Sequence, residues 1–79
     1  MIKILCNGAF GRMGRAMSTK IMQEDDMQIV AAVDVKGAGS DIGSLCGMEP
    51  NGVLIQDDLE AAIKKAKPDV MLEFTNPHA

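Results

Sequence analysis

The sequence predicts an α/β fold in which a parallel sheet of about four strands carries helices on both faces. A short apolar run at residues 2–7 leads directly into a glycine-rich turn and a helical pattern. A nearly continuous run of β-branched and small apolar residues at 27–34 is typical of a strand buried on both faces of a parallel sheet. Strand and helix patterns then alternate as far as residue 75, which is the order expected of βαβ units.

The first strand, at residues 2–7, runs into the glycine-rich turn at residues 8–14, whose sequence is GAFGRMG. Glycine suits such a turn because the backbone must reverse sharply, approach a diphosphate without side chains and let the next helix lie close to the strand. The start of that helix would face the phosphates with free N–H groups and about half a positive charge. The turn therefore predicts the dinucleotide site of a Rossmann-type half.

The glycine spacing is G-x-x-G-x-x-G, with Phe10 where the second glycine of the more common G-x-G-x-x-G motif stands. Backbone approach to a pyrophosphate would then come through Gly11. The simpler alternative is that the glycines only form a tight turn between strand and helix. A P-loop is excluded, because no Gly-Lys-Ser/Thr follows Gly8 at the required interval.

The first helix is predicted from Arg12 to about Gln23, and it ends before three acids at residues 24–26 that a helix C-terminus disfavours. Ser18 is assigned to its polar face. The apolar residues that recur with the helical period are expected to form one buried stripe: Met13, Ala16, Met17, Ile21 and Met22.

The second strand is predicted over residues 27–34, so that Asp34 lies at the carboxyl end of a buried strand. A carboxylate there can accept hydrogen bonds from both hydroxyls of an adenosine ribose, and it lies about twenty residues after the turn, as the dinucleotide fingerprint requires. The alternative is that Asp34 only caps a turn.

The remaining elements follow from turn residues and caps. Residues 35–51 are rich in glycine and predict a loop with a short helical turn that begins at residue 40 or 41 and ends at 45. A third strand is predicted at 52–56. Asp57 is expected to cap the next helix, with Glu60 as its reciprocal partner, and Pro68 stops that helix.

A fourth strand at residues 69–75 completes the predicted sheet. Every crossover is long enough to be right-handed, which predicts the strand order 3-2-1-4. The carboxyl ends of strands one, two and four then meet at the switch point, where open α/β sheets bind ligands. The glycine turn, Asp34, Phe74 and Thr75 would surround a single crevice there.

Composition limits the function classes. A chain of 79 residues with a net charge of −3 predicts one small domain and argues against nucleic acid as the main partner. The longest apolar stretch is too short to cross a bilayer, and the chain lacks a signal-peptide pattern, so a cytoplasmic location is expected.

Cys6 and Cys46 lack metal-binding spacing and are expected to be reduced thiols. Met13, Met17 and Met71 are expected to face the core.

Several segments together resemble the N-terminal part of the dihydrodipicolinate reductase (4-hydroxy-tetrahydrodipicolinate reductase) family. They are GAFGRMGR at 8–15, AAVD at 31–34, DIGSLCG at 41–47, DLE at 58–60 and DVMLEFTNP at 69–77. The resemblance spans all 79 positions. The Gly-Arg-Met-Gly core followed by the Phe-Thr-x-Pro ending is much more specific than the glycines alone.

The resemblance implies an NAD(P)H-dependent oxidoreductase that transfers hydride to a cyclic unsaturated dicarboxylate in lysine and diaminopimelate biosynthesis. It also implies a homo-oligomer, a tetramer in the family. Asp34 would be the ribose acid, and Phe74 with Thr75 would lie beside the nicotinamide. The cofactor residues implied are Gly8, Ala9, Phe10, Gly11, Arg12, Met13, Asp34, Lys36, Phe74 and Thr75.

One departure from the family pattern concerns the choice of cofactor. Many members carry an arginine directly after the ribose acid to hold the 2′-phosphate of NADPH, whereas this sequence has Val35 there and Lys36 one residue later. An acid at Asp34 repels a 2′-phosphate and Val35 does not offset it. This favours NADH, or use of both cofactors.

The family's substrate-binding half, with its catalytic His and Lys, lies beyond this sequence. Residues 1–79 are therefore expected to be a truncated N-terminal dinucleotide-binding domain, inactive alone, with the substrate-binding and oligomerisation domain absent and with no catalytic or metal-binding residue. Two alternatives stay open: a fragment of an extended short-chain dehydrogenase, and a non-catalytic nucleotide-binding module. The bare outer edge of the fourth strand also predicts self-association of the isolated chain.

Overall fold

The computed structural model describes residues 1–74. The elements in chain order are β1 (Ile2–Asn7), α1 (Arg12–Met22), β2 (Met27–Val33), α2 (Ile42–Leu45), β3 (Ile55–Gln56), α3 (Leu59–Ala66) and β4 (Val70–Glu73). The four strands form one parallel sheet in the order β3-β2-β1-β4, which confirms the predicted fold class and strand order. No helix within these residues is long and apolar enough to cross a membrane.

Helices cover both faces of the sheet, so consecutive residues of β1 are buried on opposite sides. Ile4 and Cys6 belong to a core cluster that α1 and α2 complete, whereas Leu5 belongs to a second cluster that α3 completes through Ala62. All three β1 residues have at most 3% of their surface exposed. Successive side chains of a central strand in a parallel sheet are buried on opposite faces in this way.

The register of β2 against β1 contains one irregularity. Ile4 pairs with Ile29 but Leu5 pairs with Ala31, so Val30 is an extra residue in β2. An extra residue shifts the alternation of side chains between the faces. As a result Ile29 and Ala32 lie in the larger cluster, while Ala31 and Val33 lie in the smaller one.

The buried stripe of α1 differs from the prediction. The residues that the helix buries are Gly14, Ser18 and Ile21, whereas Met13 is 64% exposed and Ala16 is also exposed. Ile21 is buried as predicted, but periodicity measures hydrophobicity and misses Gly14 and Ser18, where α1 lies so close to the turn and β1 that it requires small side chains. Ser18 is fully buried and satisfies its hydroxyl by donating to the Cys6 Sγ at 3.6 Å.

Two further predictions need correction. The strand predicted at 52–56 is reduced to Ile55–Gln56, because Leu54 instead forms an antiparallel bridge with Asp41. The cap of α3 is Asp58, whose carboxylate accepts from the Ala61 N–H at 3.0 Å, and not Asp57.

The fourth strand is present as Val70–Glu73. Pairing with β1 extends beyond it on both sides, because the Asp69 N–H donates to the Lys3 carbonyl and the Phe74 N–H donates to the Asn7 carbonyl, each at 2.8 Å. Met71 is 45% exposed on this strand, so the expectation that it faces the core was wrong. The prediction for Thr75 falls outside the described residues.

Candidate functional site

An open crevice of about 670 Å³ lies at the carboxyl ends of the strands, at the switch point of the sheet. It extends from the end of β4, across the glycine turn, to the residues that follow β2 and β3. Its walls are formed by Asn7, Gly8, Phe10, Gly11, Arg12, Met13, Val33, Asp34, Val35, Lys36, Asp57, Leu59 and Phe74.

The glycine turn directs the start of α1 into this crevice. Gly8 adopts a positive φ of 87°, and its N–H donates to the Val33 carbonyl at 2.8 Å, which ties the turn to the end of β2. Gly11 is the N-cap residue, and the helix has no side-chain cap and no acid in its first turn. The first hydrogen bond that closes the helix runs from the Arg15 N–H to the Gly11 carbonyl at 2.9 Å. The Gly11 N–H donates to the Gly8 carbonyl at 3.3 Å, so the amides of Arg12 and Met13 are the ones available to an anion.

The position of that helix start depends on Gly14. A Cβ atom at Gly14 would lie 2.2 Å from the Gly8 carbonyl oxygen and 2.9 Å from the Ala9 Cα, so only glycine allows the helix to rest on the turn. At Gly11, in contrast, the nearest atom to an added Cβ is 3.6 Å away. The third glycine of the motif thus packs the helix, and the second leaves bare backbone beside the crevice.

Asp34 follows β2 directly and its carboxylate joins the two loops that border the crevice. One oxygen accepts the Phe10 N–H at 2.9 Å, and the other accepts the Lys36 N–H at 3.0 Å. The second bond closes a local turn, so the alternative that Asp34 caps a turn describes part of its role. A carboxylate has about four acceptor positions, which leaves one on each oxygen for another donor.

Phe10 braces the same two loops through its side chain. Its ring lies against Gly37, where an added Cβ would be 2.2 Å from the ring, and the Arg15 guanidinium lies 5.8 Å from the ring centroid. The ring is half-buried against the larger core cluster and still contributes to the crevice wall. Phe10 therefore does not block the turn, although it replaces the usual glycine.

Most of the residues that the sequence assigned to the cofactor come together in the structure. Eight of them line the crevice: Gly8, Phe10, Gly11, Arg12, Met13, Asp34, Lys36 and Phe74. Ala9 is the exception, because its surface is completely buried and its N–H donates to the Val33 carbonyl at 3.1 Å. It lies beneath the turn and does not reach the crevice. The assignment of Thr75 lies outside the described residues.

Five residues of the wall were not assigned to the cofactor from the sequence, although Val35 was considered for the 2′-phosphate; they are Asn7, Val33, Val35, Asp57 and Leu59. Asp57 is the one with a charged group. It was assigned to helix capping because Glu60 follows at the spacing of a capping box. The better signal was that Asp57 directly follows β3, since ligands of open α/β sheets bind beyond the carboxyl ends of strands.

Two thiols are the remaining groups of the described residues with nucleophilic or metal-binding chemistry to consider. Cys6 and Cys46 are free thiols, as predicted. Burial raises the pKa of the Cys6 thiol above its usual value, although the hydrogen bond from Ser18 opposes the shift, so this thiol is held in its protonated form. Within residues 1–74 no cluster of His, Cys, Asp or Glu could hold a metal ion.

Comparison with known proteins agrees with this geometry. Residues 2–79 match the family model described as dihydrodipicolinate reductase, N-terminus. The 4-hydroxy-tetrahydrodipicolinate reductase of Moorella thermoacetica is 49% identical over 74 residues, which is 94% of this chain and 28% of that protein. The corresponding reductase of Methanocaldococcus jannaschii is 40% identical over an alignment that covers 100% of this chain and 31% of that protein.

A solved structure supports the same comparison. Dipicolinate-bound dihydrodipicolinate reductase from Paenisporosarcina sp. TG-14 superimposes with a TM-score of 0.74 and 35% identity, covering 99% of this chain and 30% of that one. The chain thus spans about 30% of the length of the relatives it matches. The family match favours the reductase resemblance over an extended short-chain dehydrogenase.

Proposed function

The chain belongs to the dihydrodipicolinate reductase family, and on that premise we propose that it forms the NAD(P)H-binding part of a 4-hydroxy-tetrahydrodipicolinate reductase. The observation that carries the proposal is that two groups of opposite polarity share one crevice. The uncapped start of α1 offers backbone donors, and the Asp34 carboxylate offers acceptors beside it. A pyrophosphate needs the first and a ribose needs the second.

In this proposal the residues of the chain hold and orient the cofactor. The amides of Arg12 and Met13 bind the pyrophosphate beside the bare backbone of Gly11, and the exposed Arg12 guanidinium adds a positive charge to that end of the crevice. Asp34 uses its remaining acceptor positions for the ribose hydroxyls. Because the Phe10 and Lys36 amides already fix this carboxylate, little conformational freedom is lost when a ribose binds.

The opposite end of the crevice would receive the nicotinamide. Phe74 follows β4 there and is held by the bond from its N–H to the Asn7 carbonyl. The bound cofactor would supply a hydride for the reduction of a cyclic unsaturated dicarboxylate in lysine and diaminopimelate biosynthesis. The dipicolinate in the Paenisporosarcina structure supports that substrate class, because dipicolinate is itself a cyclic dicarboxylate. A cytoplasmic location and a homo-oligomeric enzyme are part of the same proposal.

Substitution of Asp34 tests the proposal. We expect Asp34→Ala to weaken NADH binding by about 1.5–3 kcal/mol, the range for losing hydrogen bonds to a charged group. Isothermal titration calorimetry measures the affinity, and circular dichroism checks that the variant is folded. Asp25→Ala is the matched control, since it removes an exposed carboxylate just before the amino end of β2. An unchanged affinity would remove Asp34 from the site, and no binding of NADH by the unsubstituted chain would reject the proposal.

We also propose that NADH is preferred to NADPH. Val35 follows the ribose acid with 88% of its surface exposed, and it offers no charge to a 2′-phosphate. Among the described residues of the wall, Lys36 is the only cation on this side of Asp34, and its positive charge partly offsets the negative charge of Asp34. The preference for NADH therefore rests on repulsion by Asp34 without an arginine to offset it.

An arginine at position 35 should reverse the preference. Val35→Arg is expected to raise the affinity for NADPH relative to NADH about tenfold, or about 1.4 kcal/mol, because a guanidinium binds phosphate with two hydrogen bonds. Calorimetric titrations with both cofactors give the ratio. Val35→Gln is the control, since it adds length and polarity without charge. A ratio that changes equally in both variants would contradict the electrostatic explanation.

A further inference from the structure

The end of the crevice farthest from β4 is lined by side chains that neither a pyrophosphate nor a ribose would require. Val35, Asp57 and Leu59 line it, and we call these three residues the base end. Val35 is 88% exposed, and Leu59 is half-buried against the smaller core cluster. Two apolar side chains with a single carboxylate are suited to a flat apolar ring that carries a hydrogen-bond donor.

Asp57 differs in its hydrogen bonding from four other aspartates of the chain. The carboxylates of Asp34, Asp41, Asp58 and Asp69 each accept at least one backbone N–H. Within residues 1–74, no hydrogen bond and no ion pair engages the carboxylate of Asp57, and the ion pair between Glu60 and Lys64 lies elsewhere on α3. This carboxylate therefore has its full acceptor capacity and is exposed on the crevice wall.

The sheet order fixes where Asp57 lies relative to a bound dinucleotide. The Asp34 N–H donates to the Gln56 carbonyl at 3.0 Å, so Asp57 comes directly after the residue that is bonded to Asp34. It lies one strand farther from the glycine turn than Asp34 does, since β3 is next to β2 and β2 is next to β1. With the pyrophosphate at the turn and the ribose at Asp34, the base continues toward β3.

We infer that Asp57 is a specificity-determining residue that accepts a hydrogen bond from the exocyclic amino group of adenine, whose ring lies between Val35 and Leu59. This inference rests on the proposed function and adds the recognition of the base. A hypoxanthine ring has a keto oxygen in place of the amino group. This oxygen and the Asp57 carboxylate are both acceptors, so they cannot form a hydrogen bond with each other. The site should therefore discriminate between dinucleotides that differ only at this position.

Nicotinamide hypoxanthine dinucleotide, in its reduced form, is the probe. The unsubstituted chain is expected to bind NADH about fivefold more tightly than this analogue, the size of an exposed hydrogen bond. Asp57→Asn should bring the ratio to about one, because an amide can turn either its oxygen or its nitrogen toward the base. Calorimetric titration measures both affinities for each variant.

Asp58→Asn is the matched control, because it removes the same charge one residue away and asparagine caps helices as well as aspartate does. It should leave the ratio unchanged. Equal ratios in Asp57→Asn and the unsubstituted chain, with NADH still bound, would overturn this inference alone. A loss of discrimination in both asparagine variants would also overturn it, since charge and not a local contact would then be responsible. No NADH binding by the unsubstituted chain would overturn the proposed function with it.

Discussion

The two central strands of the sheet, β1 and β2, differ from the two outer strands, β3 and β4, in how deeply they are buried and how far they are paired. β1 and β2 pair along six residues of β1 and contribute seven of the twelve buried hydrophobic residues of the described chain. β3 pairs at only two positions, and Val70 and Met71 of β4 are more than two-fifths exposed. The centre holds the glycine turn and Asp34, while the outer strands hold Asp57 and Phe74.

This difference has a consequence for the crevice. The groups proposed to bind the pyrophosphate and ribose are fixed by backbone contacts of the central strands, such as the bond from the Gly8 N–H to the Val33 carbonyl. Asp57 and Phe74, proposed to lie beside the base and the nicotinamide, directly follow the outer strands β3 and β4, which have fewer contacts. Substitutions at the centre should therefore change stability strongly, whereas substitutions at the outer strands should change binding or association with little effect on stability.

Gly14 gives the largest expected effect. Gly14→Ala should destabilise the fold by about 3 kcal/mol, because the new Cβ would lie 2.2 Å from the Gly8 carbonyl oxygen and force α1 away from the turn. Helix propensity alone predicts the opposite, a gain of about 1 kcal/mol. Urea unfolding followed by circular dichroism measures the difference.

The reverse exchange in the same helix is the control for Gly14→Ala. Ala16 is exposed, so Ala16→Gly should cost only about 1 kcal/mol through propensity. If Gly14→Ala proved more stable than the unsubstituted chain, α1 would not rest on the turn. The positioning of its amides toward the crevice would then lose its structural basis.

The difference between the central and the outer strands also explains which features the sequence could predict. β1 was predicted with its observed bounds and Asp34 with its place at the end of β2, because long apolar runs and a glycine motif determine them locally. The burial of Ser18 and Ala9 could not be predicted, because it depends on how closely α1 approaches the turn. The shortening of β3 depends on the pairing of Leu54 with Asp41, a contact between loops that has no periodic signal.

Asp41 organises the loop between β2 and β3, and its effect should depend on pH. Its carboxylate accepts the N–H groups of Ser44, Asn51 and Gly52 at 3.1, 3.2 and 2.9 Å. Desolvation raises the pKa of Asp41, but these backbone bonds lower it further, so the net pKa lies below the usual value. A carboxyl whose folded-state pKa is lowered stabilises the fold above its unfolded pKa, near 3.9, and this contribution is lost as pH falls through the folded-state value.

Asp41→Asn should therefore lower the melting temperature at pH 6 and show a smaller deficit as the pH is reduced below 4. Thermal unfolding between pH 6 and pH 2.5 measures the two curves. Asp25→Asn, at an exposed position between α1 and β2, should follow the unsubstituted chain throughout. A constant deficit for Asp41→Asn across this range would mean that the ionised carboxylate is not what holds the loop.

The outer edge of β4 gives the smallest expected effect on stability and the clearest effect on association. Within residues 1–74 no strand pairs with β4 on the side away from β1, and an exposed apolar edge promotes pairing between chains. Met71→Lys places a charge at a position that is 45% exposed, so it should shift the isolated chain toward monomer in sedimentation velocity runs and change the free energy of unfolding by less than about 0.5 kcal/mol.

Ile63→Lys is the control for Met71→Lys, because it adds the same charge at a 41% exposed position of α3 and should leave association unchanged. A monomeric unsubstituted chain would contradict the role of the edge, and equal effects of both lysines would attribute association to net charge.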